Sequence, residues 1–237
     1  MMMKKENCLQ YFVWMFSILL ALQIQGCNSS ELDYYEGNRG LYFERYRFAS
    51  LEEGYMRSDT VKLVLSHYPG VNEIRHPFKI LLIGDLLSED TEYDMKRIDS
   101  LSTATEDMVS LSDKLLFKKG VVADSLWVTI HKDKVKDEKE YCVVYQLVDN
   151  ENFGLGYSDC TIIKVWFSNS ISAPLWWNDE VVNIFLGEWS QEKFEALVMA
   201  TGILTFEGLS ATEKRLYSLQ LKHYIEENNL PMTVPAY

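Results

Sequence analysis

Stretches rich in β-branched and aromatic residues recur along the chain from about Leu41, bounded by polar and turn-forming residues. Their pattern predicts strands at Leu41–Phe48, Thr60–His67, Lys79–Gly84, Leu126–His131, Tyr141–Val148, Thr161–Phe167 and Val181–Leu186. Helical patterns fall at Thr91–Leu101, Gln191–Ala200 and Ala211–Asn228. The last has clear punctuation. Ser210-Ala-Thr-Glu213 is a capping box, Leu216, Leu219, Tyr224 and Ile225 form an apolar stripe, and Pro231 follows the end. Strands dominate the middle and helices the C-terminal part, so the fold class expected is α+β, mainly an antiparallel sheet of about six or seven strands with C-terminal helices.

Alternation also predicts a register. Val143, Tyr145 and Leu147 share one face, as do Ile163, Val165 and Phe167. Pairing the two apolar sets places Tyr145 opposite Ile163 and Cys142 opposite Trp166, with Cys142 and Cys160 far apart. A tighter turn at Asp149–Phe153 would instead set Cys142 opposite Cys160, close enough for a disulfide, but would match Trp166 with the charged stretch around Lys136.

The N-terminus follows another logic. Lys4 and Lys5 precede an apolar run, Tyr11 to Leu22, that is too short to span a bilayer and has the length of a signal-peptide core. It decays into Ile24-Gln25-Gly26-Cys27. An ordinary signal peptidase needs a small side chain where Ile24 stands. The tetrapeptide resembles the lipobox of bacterial lipoproteins: aliphatic at −3, small at −1, cysteine at +1. Gln25 departs from the small or aliphatic residue usual at −2. The resemblance implies a diacylglycerol on the Cys27 thiol, cleavage before that residue and a membrane tether. Asn28, in place of an aspartate, implies the outer membrane of the envelope. Simple secretion is the alternative. The expected organisation is therefore a signal peptide over 1–26, a polar, glycine-punctuated spacer over 27–40 and one globular domain over 41–237.

Composition narrows the choice of partner. Hydrophobic residues make up 47% and charged residues 24% of the 237, a globular profile. The formal net charge of −12, with no basic run, disfavours nucleic acid and leaves the lipid as the means of membrane attachment.

Candidate chemistry is sparse. Trp176 and Trp177 lie in Ala173-Pro-Leu-Trp-Trp-Asn-Asp179, whose turn formers suggest a loop offering flat apolar faces to a sugar ring or a partner protein. These two are the candidate binding residues; packing of one of them into the core is the alternative. Asp85 ends the apolar run from Lys79, a position where a sheet presents a carboxylate at a cleft. With Glu89, Asp90, Glu92 and Asp94 it makes a run of oxygen donors without EF-hand spacing, equally suited to the acidic first turn of a helix. His67, His76, His131 and His223 have no metal-ligand spacing, and no nucleophile elbow, Walker loop or dinucleotide fingerprint occurs. No catalytic residue, cofactor or metal is expected on these grounds. The reading is a tethered, non-enzymatic binding or interaction domain with a protein or sugar partner. Its rivals are an envelope hydrolase using carboxylates near Asp85 and a structural subunit of an envelope assembly.

Overall fold

In the computed structural model, which describes residues 39–236, the chain alternates between two sheets before closing with helices. The strands, in chain order, are β1 (Gly40–Phe43), β2 (Tyr46–Ser50), β3 (Gly54–Arg57), β4 (Thr60–Val64), β5 (Glu73–Ile83), β6 (Thr91–Glu92) and β7 (Asp94–Arg97). They continue as β8 (Val109–Ser110), β9 (Leu116–Phe117), β10 (Ala123–His131), β11 (Glu140–Val148), β12 (Gly154–Leu155) and β13 (Ile162–Ser168). Two helices follow, α1 (Gln191–Thr201) and α2 (Ala211–Glu227). The fold is α+β.

One sheet has the order β12-β1-β5-β10-β8 and the other β4-β13-β11-β7. Pairing is antiparallel except at β1–β12 and β4–β13. Period-two alternation explains how they stack. Ile74, Phe78 and Ile80 of β5 and Leu126, Val128 and Ile130 of β10 are buried on one face. They join Leu63, Val143, Tyr145, Leu147, Ile163, Val165 and Phe167 from the second sheet in a single apolar cluster. The result is a two-layer sandwich.

A second apolar cluster lies in the C-terminal part, built from Trp176, Trp177, Val181, Phe185, Leu186, Phe194, Leu197, Phe206, Leu221 and Ile225. Helix α1 starts at Ser190, whose hydroxyl caps Lys193 N–H, and ends at Gly202 in the left-handed region. Helix α2 carries the expected capping box, Ser210 and Glu213 bonding each other's backbone reciprocally.

Three sequence expectations need correction. Thr91–Leu101 is not helical: it holds β6, β7 and a 3-10 turn at Asp99–Leu101. Tyr93 is buried and Met95 and Arg97 half-buried, while Glu92, Asp94 and Lys96 point outward, a period of two that pairs β7 with β11. Val181–Leu186 is a six-residue π-helical turn rather than a strand, burying Val181, Phe185 and Leu186 on one side. Leu41–Phe48 breaks at Glu44–Arg45, and its second half forms one arm of a separate two-stranded ribbon, β2–β3.

The register expected between the two long strands of the second sheet is found, with Tyr145 opposite Ile163 and Cys142 opposite Trp166. Cys142 and Cys160 are accordingly free thiols. Cys142 is buried and Cys160 half-exposed, so a thiol reagent is expected to label Cys160 in the folded protein and spare Cys142. Peptide mapping after alkylation, with and without denaturant, reads the difference. The signal peptide, the lipidated Cys27 and residues 28–38 of the expected spacer lie outside the described residues, while Gly40, expected at the spacer's end, begins β1.

Candidate functional site

The sandwich and the helical cluster meet at the end of the second sheet, and their junction forms a cleft. β4 leads directly into a 3-10 turn, Leu65–His67, which carries His67 and Tyr68 to the sheet's end. On the neighbouring strand, β13 ends at Ser168 and the chain crosses to the helices through residues 169–176. Side chains clamp this crossing: Ser66 Oγ donates to Ser170 O at 2.8 Å, and His67 Nε2 bonds Ser172 O at 2.8 Å. Since a carbonyl only accepts, that nitrogen carries the proton. From α1, Gln191 Nε2 donates to Ser66 O at 3.1 Å, and the Phe194 ring meets His67 edge-on at 6.3 Å.

The cleft has a volume of about 750 Å³, within the range of ligand-binding pockets. One wall is Lys62, Val64, His67 and Tyr68 from the sheet. The other is Pro174, Leu175 and Trp176 from the crossing segment, with Leu204, Thr205 and Glu207 from the loop between α1 and α2. Leu175 is 96% exposed and Leu204 is also open to solvent. Burial pushes the Tyr68 phenol up from its ordinary value, so it is a neutral hydroxyl at pH 7. Its hydroxyl and the Trp176 indole N–H have no hydrogen-bond partner among the described residues. At the rim, Lys62 pairs with Glu140 at 2.5 Å.

The tryptophan pair is placed differently from a surface platform. The rings are side by side, with centroids 5.3 Å apart, but Trp176 is only 9% exposed and Trp177 only 5%. Trp177 donates its indole N–H to Gly187 O at 2.9 Å and belongs to the helical core. Trp176 stacks on Phe206 at 5.3 Å and leans on Trp177, so its faces are occupied within the protein. It therefore serves the cleft by its edge.

The acidic candidates do not come together. Asp85 is exposed just past β5, and only its backbone oxygen is bonded, by Arg39 Nε at 3.1 Å. Asp90 accepts from Lys119 N–H and Asp94 from Asn150 Nδ2, both as loop fasteners. The helix start proposed for Glu89–Glu92 is absent, the segment lying before and in β6. Among the described residues, no group of three or more His, Cys, Asp and Glu is placed to hold a metal ion. His131 bonds Ser110 and faces Glu73, and His223 faces Glu227, far from one another in the chain. No helix among the described residues is long and apolar enough to cross a membrane.

Tyr68, Leu175, Leu204 and Glu207 had not been singled out from sequence. No short motif marks them, since the three segments that build the cleft are separated by more than a hundred and by nearly thirty residues.

Comparison with known proteins places the chain in a family. Residues 35–203 match the model of DUF4843, a domain of unknown function. The chain belongs to this family. The match ends two residues beyond α1, so in this DUF4843 chain Leu204, Thr205, Glu207 and helix α2 lie past the matched region. No curated protein matches the chain. Among solved structures, a putative carbohydrate binding protein from Bacteroides ovatus is similar at 12% identity and a TM-score of 0.37, over 54% of this chain and 36% of that one. A Bacteroides ovatus protein of unknown function gives 9% identity and 0.37 over 54% and 43%. A family 123 glycoside hydrolase from Clostridium perfringens gives 12% and 0.32 over 81% and 36%. The chain thus spans less than half the length of these proteins, and likeness this slight assigns neither ligand nor activity.

Proposed function

We propose that this DUF4843 chain is a cell-envelope lipoprotein, anchored through a lipid on Cys27, whose folded part binds a carbohydrate without transforming it. The observation that carries the binding half is the cleft between the sandwich and the helices. Its lining alternates apolar surfaces, Pro174, Leu175, Leu204 and the edge of Trp176, with hydrogen-bonding groups, Tyr68, Thr205, Glu207 and Lys62. A sugar ring presents the same alternation, C–H faces beside hydroxyl edges. Tyr68 and Trp176 line the wall, and their hydroxyl and indole N–H, unpartnered among the described residues, offer one donor-acceptor and one donor. A ligand that satisfies them gains the hydrogen bonds without first displacing an internal partner.

The anchoring half is supported by the Ile24-Gln25-Gly26-Cys27 sequence and the short apolar run before it. A diacylglycerol and a further acyl chain hold a protein to a bilayer at about 0.8 kcal/mol per buried methylene. Two measurements test the halves separately. Labelled palmitate is expected in the wild type and not in Cys27→Ala; an unlabelled wild type contradicts the anchor. A glycan array probed with the protein is expected to show binding that Leu204→Arg, which fills the cleft mouth with a charged chain, abolishes. Equal binding by that variant, or none by the wild type, contradicts the site.

A further inference from the structure

A second, smaller pocket of about 300 Å³ lies at the root of the β2–β3 ribbon, where the ribbon leaves β1 and passes to β4. Its chemistry is unlike the surface around it. In a chain of net charge −12, three cationic side chains, Arg47, Arg57 and Lys79, line one small space together with His76.

Two of the cations are already matched. Lys79 Nζ donates to Glu44 at 2.6 Å. Arg57 donates to the buried carboxylate of Asp59 through Nε at 2.8 Å and Nη2 at 2.6 Å, leaving Nη1 unused. Arg47 is not matched: no hydrogen bond or ion pair joins its guanidinium to another described residue. It stands opposite Met56 on the ribbon and lines the pocket with all its N–H groups available.

His76 is the second unsatisfied group. Its ring is half-buried, packed edge-on against Phe78 at 5.0 Å, and neither ring nitrogen has a hydrogen-bond partner among the described residues. Burial, and then the neighbouring Arg47 charge, hold it below its ordinary range, so at neutral pH it is an uncharged imidazole with one N–H to give. One unmatched guanidinium and a neutral imidazole line this pocket, while Glu44 and Asp59, the carboxylates nearby, are occupied by Lys79 and Arg57.

We propose that this pocket binds a small oxyanion, the carboxylate, sulfate or phosphate group of a ligand, with Arg47 as its charge partner and His76 as a neutral donor. A planar guanidinium fork matches two oxygens of such a group, and hydrogen bonds to an ionised acceptor are about twice as strong as neutral ones. The site is separate from the cleft and stands whether or not the cleft takes a carbohydrate.

The test is a titration of the full chain with sodium phosphate, sulfate and acetate in turn, at fixed pH and ionic strength, with chloride as the control. His76 imidazole resonances and calorimetry are the readouts. At least one of the three anions is expected to shift His76 saturably. Whichever binds tightest identifies the source as phosphate, sulfate or carboxylate. Arg47→Ala, at an exposed position that leaves the fold intact by circular dichroism, is expected to weaken binding at least tenfold, and Arg47→Lys to restore part of it. Shifts that chloride reproduces, no saturation with any of the three, or unchanged affinity in Arg47→Ala would overturn the proposal.

Discussion

Phe194→Ala is expected to lower stability by about 3–5 kcal/mol, the cost of emptying a fully buried aromatic site. Phe194 is wholly inaccessible to solvent and stands where three rings converge: Trp176 at 6.0 Å, Trp177 at 6.3 Å and His67 at 6.3 Å. The first two hold the helical cluster, and the third belongs to the sheet end. Removing the ring therefore loosens both walls of the cleft, and neither indole can move to fill the gap without losing its own partner, Phe206 or the Gly187 carbonyl. Chemical denaturation reads the stability. A loss below about 1 kcal/mol, well outside that range, would mean the site collapses freely and is not a packed junction.

The second large effect is expected in the other cluster. Phe167 is fully buried in β13, with Leu63 of β4 on one side and Tyr141 of β11 on the other. Its ring stacks on Tyr141 at 5.9 Å. Phe167→Ala should cost about 3–5 kcal/mol by the same cavity mechanism. Phe167→Leu, which keeps most of the volume, should cost under about 1.5 kcal/mol. If both substitutions cost the same, the packing of the sandwich against Tyr141 is not what the ring supplies. Denaturant midpoints of the three proteins, at an unchanged slope, make the comparison.

Much of this architecture was readable from alternation. The apolar sets of Tyr141–Val148 and Thr161–Phe167 admit one pairing that buries both, and that pairing is the one found, with Cys142 against Trp166. The reciprocal cap at Ser210 and Glu213 located the start of α2 at Ala211, and its end at Glu227 falls one residue before the expected Asn228. The errors have physical causes. At Thr91–Leu101 the cluster of acids invited a helix, yet the outward side chains alternate and the backbone finds its partners in β11. The six-residue apolar run Val181–Leu186 is too short for period to distinguish strand from helical turn. β5 begins at Glu73, six residues earlier than expected, and runs through Pro77. The proline is tolerated because it lies beyond Ile80–Ile83, the only part of β5 that pairs with β1.

The site was less legible than the fold. Trp176 was singled out as a binding residue and does line the cleft, but as an edge held by Phe206 rather than as an open face. A sequence shows that two indoles are adjacent; it does not show which ring will cover them. Tyr68, Leu204 and Glu207 become neighbours only when the sheet end and the inter-helix loop are brought together. The oxyanion pocket is hidden for the same reason. Arg47 and His76 are 29 positions apart, and the sequence gives no sign that Arg47 alone among the local cations lacks a carboxylate.

Trp176 lines the cleft, and its indole N–H has no hydrogen-bond partner among the described residues. The most direct test of the binding claim is the Trp176 Nε1–H resonance of isotope-labelled protein, followed while a glycan recovered from the array is titrated in. The account predicts a saturable shift at Trp176, lost in Leu204→Arg, while the Trp177 resonance, fixed on Gly187, stays nearly still. A glycan that binds with Trp176 unmoved would contradict it.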